Sequence, residues 1–244
     1  MLRSAPPRFT VVGLSVALVV VTTAAPFVQA GARNAELTVR RADFSAIGAV
    51  KPAVFDLAIG AAACAVKSGV VDSPATLTVI DYSLPSTSKR VWVYDLNTKA
   101  LVFEELVAHG SGSGDNFASS FSNAPDSHQT SLGLFVTDDP YMGKNGYSLR
   151  MDGLDLGIND RARERAIVIH GAPYVSADFA RSQGRLGRSW GCPAVRGVIA
   201  HSLIDRVSHG GLLFAYYPDP AFLASSKYVQ CANNNSTEAA TTLP

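Results

Sequence analysis

Charge is scarce in this chain. Of its 244 residues, 21 are Lys or Arg and 20 are Asp or Glu, a formal net charge of +1. With no basic tract, zinc-finger spacing or RNA-binding signature, nothing points to a nucleic-acid partner. Long hydrophobic runs are also scarce. The apolar stretch from residue 11 to residue 21 is shorter than the roughly 20 residues a membrane-spanning helix needs. No cysteine follows it closely, so no lipoprotein lipobox is apparent, and no internal repeat is present. Cysteine is rare: Cys64, Cys192 and Cys231 are all there are.

What is present begins with an export pattern. Arg3 and Arg8 precede the apolar stretch, and Val28-Gln29-Ala30 supplies a small-x-small cleavage site. Residues 1–30 therefore read as a signal peptide, with an uncleaved anchor as the alternative. The mature chain is close to neutral, touches a membrane only during export, and is expected in the periplasm or outside the cell. Oxidising compartments pair thiols, and an odd count leaves one over. A Cys64–Cys231 disulfide with Cys192 free is one arrangement; three free thiols is the other.

Nearly half the chain is hydrophobic, enough for one substantial domain. Residues 31–50 show no firm periodicity and read as a linker or a short helix. Pro52 opens a helix whose apolar residues Val54, Leu57, Ala58, Ala61 and Ala65 recur at helical spacing, with Gly69 at its stop. Strands are predicted over 77–82, 91–95, 100–109, 132–137, 147–151, 166–170 and 212–217. Between them, residues 110–131 form a long Gly/Ser/Asn/Asp-rich loop, and loops of that length are usually functional. Ser176 and Gly184 bracket a short helix. Residues 193–207 read as a second helix opened by Pro193. The domain is expected over 51–225 and the polar residues 226–244 as a disordered tail. The class is mostly β with a few helices (α+β), a sandwich or barrel-like sheet pair.

The sharpest chemistry lies between residues 166 and 196. His170 ends an apolar strand and is followed by Gly171. Cys192 precedes Pro193, so the pattern places it near a helix N-terminus, with Arg185, Arg188 and Arg196 as nearby cations. Both features favour a thiolate. Gly187 and Gly191 permit close backbone approach, with free N–H groups able to meet an oxyanion. A cysteine nucleophile needs a base such as His170 to take and return its proton. Alone, either residue is as readily structural; together, in this Arg/Gly setting, they read as a catalytic pair. Zinc is the competing use of Cys192, His170, His109 and His128, but no His-x-His or Cys-x-x-Cys pair nucleates a site, so no metal is expected.

His170-Gly171 followed by Gly187-Arg188-Ser189-Trp190-Gly191-Cys192-Pro193 resembles the L,D-transpeptidase (YkuD-type) signature, in particular its divergent branch, the murein L,D-transpeptidase catalytic domain family. Val79-Ile80-Asp81-Tyr82-Ser83, Ala108-His109-Gly110, Gly112-Ser113-Gly114-Asp115 and 127–133 extend the resemblance over roughly residues 50–225. The resemblance implies an L,D-transpeptidase-like β-sandwich or barrel. It makes Cys192 the nucleophile and His170 the base, with Ser189 and Gly191 shaping the oxyanion pocket. Arg188 or Arg196 would meet a substrate carboxylate, and Trp190, Gly171, His109 and His128 are candidate substrate contacts. Trp190 stands where the wider family has His, and the arginine after the cysteine is displaced to Arg196. The implied reaction is acyl transfer on peptidoglycan stem peptides through a Cys192 thioester, without a cofactor. L,D-carboxypeptidase action or non-catalytic wall binding are the alternatives.

Overall fold

The structure is a computed structural model that describes Met1, Leu37 and residues 39–241, with side chains as far as Asn235. The expected signal segment, residues 1–30, lies outside the described residues apart from Met1. The chain divides into two units, Met1–Arg33 and Asn34–Pro244, and every element below belongs to the second. Among the described residues, no helix is long and apolar enough to cross a membrane.

Helix α1 (Pro52–Lys67) starts with proline at its first position, where the missing N–H costs nothing. It ends as the sequence predicts. Gly69 takes φ +71°, and the amides of Gly69 and Val70 bond back to the carbonyls of Val66 and Ala65. Strands β1 (Thr76–Asp81), β2 (Val91–Asp95), β3 (Ala100–Glu105) and β4 (Val107–Ala108) follow, then β5 (Gly133–Gly143), β6 (Gly146–Gly153) and β7 (Val168–Ala172). Helix α2 (Ala177–Gln183), strand β8 (Ala194–Arg196), helix α3 (Gly197–Val207), strand β9 (Leu212–Tyr216), and helices α4 (Pro220–Ser225) and α5 (Lys227–Thr241) complete the order.

The nine strands make one sheet in the order β3-β2-β1-β9-β5-β6-β7-β8-β4. Its two end strands, β3 and β4, are separated in sequence only by Leu106, so the chain itself joins the two edges and the sheet curls almost into a barrel. Near closure removes most of the exposed edge. Every residue of β1 and β2 is buried, because the sheet is covered on both faces there. The fold is thus mostly β with a few helices, as the sequence implies.

Three segments differ from their sequence reading. Residues 193–207 are not one helix: residues 194–196 pair with β7 and β4 as β8, and the helix begins at Gly197. Its buried residues Ala200, Leu203, Ile204 and Val207 still carry the expected helical spacing. The segment 39–50 is no free linker, since Val39, Phe44 and Val50 are buried and Phe44 meets Phe55 and Tyr94 edge-on. The polar tail forms α5, which lays Tyr228, Val229 and Ala232 inward. Helix α5 packs on α1 so closely that a Cβ on Gly60 would stand 2.7 Å from the Ala232 Cβ. The Cys64–Cys231 disulfide fastens this pair and leaves Cys192 as the free cysteine.

Candidate active site

Strand β7 is apolar and buried at Val168 and Ile169, and it ends at His170-Gly171-Ala172. His170 lies between Ser148 of β6 and Ala194 of β8 in register. Cys192 stands two residues before Ala194 and therefore reaches the start of β7. The Val168 N–H donates to Sγ over 3.5 Å, and the thiol faces the Ala166 carbonyl at 3.7 Å. Ala166 holds φ +52°, a backbone state that non-glycine residues adopt at a cost and that recurs at functional sites.

Both candidate reacting groups are shielded. Cys192 is 8% and His170 4% exposed. Burial pushes the Cys192 thiol up, against the opposing pull of the Val168 N–H and the Arg165 charge. Burial pushes His170 below its ordinary value, with its hydrogen bond to the Gly171 carbonyl opposing. That bond, 3.0 Å from Nδ1, places the ring proton on Nδ1 and leaves Nε2 as a proton acceptor. The pair is therefore a neutral thiol and a neutral imidazole near pH 7. The helix N-terminus expected beside Cys192 is absent, because Pro193 leads into β8 and the helix starts five residues beyond the cysteine.

The turn 189–192 is braced from within. Ser189 Oγ donates to the Cys192 carbonyl at 2.6 Å and accepts from Gly191 N at 3.1 Å. The Ser189 N–H goes to the His109 carbonyl. Ser189 and Gly191 amides are thus already used, whereas the Cys192 amide has no partner among the described residues. Gly191 holds φ +113°, and a Cβ there would meet the Gln129 carbonyl at 2.8 Å.

The loop 110–131 wraps this turn. Ser111 N bonds the Ser189 carbonyl, Gly110 N bonds Thr130 Oγ1, and Thr130 Oγ1 donates to the Gly191 carbonyl. His128 lies flat on the Trp190 ring at 4.8 Å with planes 5° apart, and Trp190 is 74% exposed. These two make an open aromatic platform two residues from the thiol. His109 lies elsewhere. It is 1% exposed, its Nδ1 accepts from Arg90 Nη2 at 2.7 Å, and its Nε2 faces the Gly114 carbonyl. Burial, and then the Arg90 charge, push it down to about 4, so it is a neutral internal brace away from any surface a substrate can touch.

The arginines divide differently from expectation. Arg196 forms a two-pronged ion pair with Glu105. Arg188 donates to the Gly114 carbonyl and to Asp115, and Arg185 stands 3.8 Å from the same carboxylate. Arg165, which the sequence reading passed over, is the cation that acts on Cys192. Tyr82 and Tyr174 also feel the thiol, Tyr174 being pushed up to about 12 by burial and then by Cys192. The signal for Arg165 was weak: it sits in the charged run Arg161-Ala162-Arg163-Glu164-Arg165, which looks like solvated surface.

Just past His170, two cavities share Ala172, Pro173 and Gly197. One of about 770 Å³ is lined by Glu105 and Arg196; one of about 310 Å³ is lined by Gly171, Tyr147 and His201. Gly171 keeps this wall thin, since a Cβ there would stand 2.8 Å from the Ala200 Cβ. Among the described residues, no three His, Cys, Asp or Glu side chains gather as metal ligands would.

The family described as "L,D-transpeptidase catalytic domain" matches residues 47–216. An L,D-transpeptidase from Mycobacterium smegmatis is 16% identical with a TM-score of 0.36, the match covering 59% of this chain and 59% of that one. The helical cell shape determining protein Pgp2 from Campylobacter jejuni is 14% identical with a TM-score of 0.42, covering 70% of this chain and 57% of that one. An L,D-transpeptidase from Mycobacterium tuberculosis H37Rv is 15% identical with a TM-score of 0.35, covering 59% of each chain. The matches thus span less than two thirds of these solved chains. No curated protein matches. The family match covers more than half the chain and contains Cys192, His170 and the loop around them, so this protein belongs to the L,D-transpeptidase catalytic domain family.

Proposed function

We propose that the protein is a cysteine acyltransferase of the cell envelope, exported by its N-terminal segment, that forms cross-links from peptidoglycan tetrapeptide stems. The carrying observation is the free Cys192 wedged against the strand that presents His170 with Nε2 unprotonated. Family membership supports the substrate class.

In this reading His170 Nε2 takes the thiol proton as Sγ attacks the carbonyl carbon before the terminal D-alanine. The Cys192 N–H faces the developing oxyanion. The tetrahedral adduct collapses, His170 returns the proton to the departing D-alanine amine, and a thioester remains on Cys192. An amine of a second stem attacks that thioester, and its proton passes through His170 back to the sulfur. Water in place of the amine gives the carboxypeptidase outcome. The groove past His170, in the size range of ligand sites, offers room for a peptide. The Trp190–His128 platform, two residues before the cysteine, supplies a flat contact for the stem. Arg188 and Arg196 already hold carboxylates, so a substrate carboxylate must compete with Asp115 or Glu105 for them.

The test is to incubate the mature protein and its Cys192→Ala variant with disaccharide tetrapeptides and read products by mass spectrometry. D-alanine loss with a stem-linked dimer, absent in the variant, supports transpeptidation. D-alanine loss without dimer makes it a carboxypeptidase. No product from folded wild-type protein removes the reaction.

A further inference from the structure

We propose that Arg165 is a positioning residue for Cys192: it supplies the counter-charge for the thiolate and ties the 122–131 segment of the rim loop beneath Gly191. This rests on Cys192 being the reacting group.

The first observation is the company the guanidinium keeps. Nη1 donates to the Ser122 carbonyl at 2.7 Å and Ser131 Oγ at 2.6 Å; Nη2 donates to the Gln129 carbonyl at 2.7 Å and Ser127 Oγ at 3.2 Å. All four acceptors are neutral. The neighbouring arginines are neutralised: Arg161 by Glu164, Arg163 by Asp138 and Asp152, Arg188 by Asp115 and Arg196 by Glu105. Arg165 has no carboxylate partner among the described residues. A half-buried, unneutralised guanidinium is costly to hold, and an anion forming nearby recovers part of that cost.

The second observation is place. Nη2 lies 3.4 Å from where a Cβ on Gly191 would stand, directly behind the residue that precedes the nucleophile. The next residue in the chain, Ala166, turns its carbonyl to the Cys192 thiol from its left-handed conformation. Side chain and backbone of this corner therefore bracket the cysteine.

The third is the rest of the surroundings. Tyr82, just past the end of β1, and Tyr174 beyond β7 also feel the Cys192 charge, and His170 follows two residues after Val168, whose N–H meets the sulfur. Burial holds both tyrosines protonated and the histidine neutral. Arg90 lies behind Tyr82, over its ring and on His109, and Arg188 is spent on Asp115. Arg165 is left as the permanent positive charge acting directly on the sulfur, in the role the sequence assigned to a helix N-terminus.

The experiment follows the rate of Cys192 alkylation by iodoacetamide from pH 6 to about 11.5, a window that reaches past a thiol raised by burial, in the wild type, Arg165→Gln and Arg165→Lys. The disulfide leaves Cys192 as the thiol that is read. Loosening the loop would change the plateau rate, whereas removing the charge moves the midpoint. Arg165→Gln is expected to raise the midpoint by about one pH unit, roughly tenfold slower labelling at pH 7. Arg165→Lys, which keeps the charge and loses the forked bonds, should keep the midpoint within a few tenths of a unit. An unchanged midpoint in Arg165→Gln overturns the proposal. So does a midpoint in Arg165→Lys raised by about a unit, an outcome readable even if Arg165→Gln does not fold. No peptidoglycan is used, so this result stands apart from the stem-peptide assay: a shifted midpoint with no product keeps the ion pairing and removes only the reaction.

Discussion

The Val168 N–H points at the Cys192 sulfur, 3.5 Å away, on the strand that presents His170 two residues later. The proposed nucleophile is therefore positioned by the same backbone that positions its proposed base, and it is held as a thiol. Burial raises Cys192 and lowers His170, so a thiolate–imidazolium pair is disfavoured at rest. The His170 requirement is then strict, because the sulfur must lose its proton during attack.

His170→Ala should lower kcat for D-alanine release by about 10²- to 10⁴-fold, the usual worth of a general base. The acid limb of wild-type kcat/KM should fall below pH 6.5. His170 is an active base only when neutral, and its pKa is depressed from that value, so activity persists to lower pH than an ordinary histidine would allow. A pH–rate profile checks both; an acid limb centred above 6.5 contradicts the neutral pair.

His109 carries a stability prediction. Its folded pKa is pushed down to about 4, below an unfolded value of 6.5. The unfolded chain thus binds the extra proton first. Stability is full above pH 6.5 and is lost as pH falls from 6.5 toward 4, by at most about 3 kcal/mol. His109→Asn cannot take that proton, and its amide oxygen can still accept from Arg90. Urea unfolding should show a smaller drop between pH 7 and pH 5 in the variant than in the wild type. Equal drops would place the acid sensitivity elsewhere.

Much of this was legible in the sequence, and the failures have physical causes. Gly69 and Ser176 announced helix ends that the structure keeps: Ser176 Oγ accepts from Phe179 N, and Gly184 closes α2 in the left-handed region. His170 and Cys192 stood out as candidates because strand end, glycine and cysteine coincide in one short stretch. Pro193 misled because proline suits the first residue of a strand as well as of a helix. Only the pairing of Ala194 with His170 and Ala108 decides between them, and that is long-range. The tail misled because its few apolar residues, Tyr228, Val229 and Ala232, gain a partner only when α1 is in place. Arg165 was invisible for the same reason: four acceptors from residues 122–131 give it its meaning, and no local pattern joins them.

The disulfide makes a prediction about that tail. It joins cysteines 167 positions apart in the sequence and pins α5 to α1. Replacing Cys64 and Cys231 by serine should cost about 2–4 kcal/mol. The measurement is guanidinium unfolding of both proteins, with alkylation of Cys192 in native buffer as a local probe. A large stability loss with unchanged Cys192 labelling is expected, because the α1–α5 pair lies apart from β7 and β8. Unchanged stability would mean that helix packing alone secures α5.

Gly110 is where loop and nucleophile turn meet, and it yields the sharpest contrast between two glycines. A Cβ there would stand 2.2 Å from the His128 carbonyl oxygen and 2.9 Å from Gly191 N and Cα. All three are backbone atoms, so no side chain can rotate away, and one of them belongs to the residue before Cys192. Its φ of −68° is ordinary, so the penalty is contact rather than torsion. Gly110→Ala should cost about 1–3 kcal/mol and move the turn that carries the thiol, cutting turnover about tenfold or more, since an ångström of misplacement suffices for that. Gly197→Ala is the control. It opens α3, has nothing within 4 Å of its added Cβ, and should be neutral or stabilising by up to about 1 kcal/mol; since Gly197 lines the groove past His170, it is a control for stability alone. Melting curves of both variants and D-alanine release by Gly110→Ala decide it. If Gly110→Ala melts like Gly197→Ala and turns over like the wild type, the loop does not bear on the turn before Cys192, and the 110–131 segment loses its place in the site.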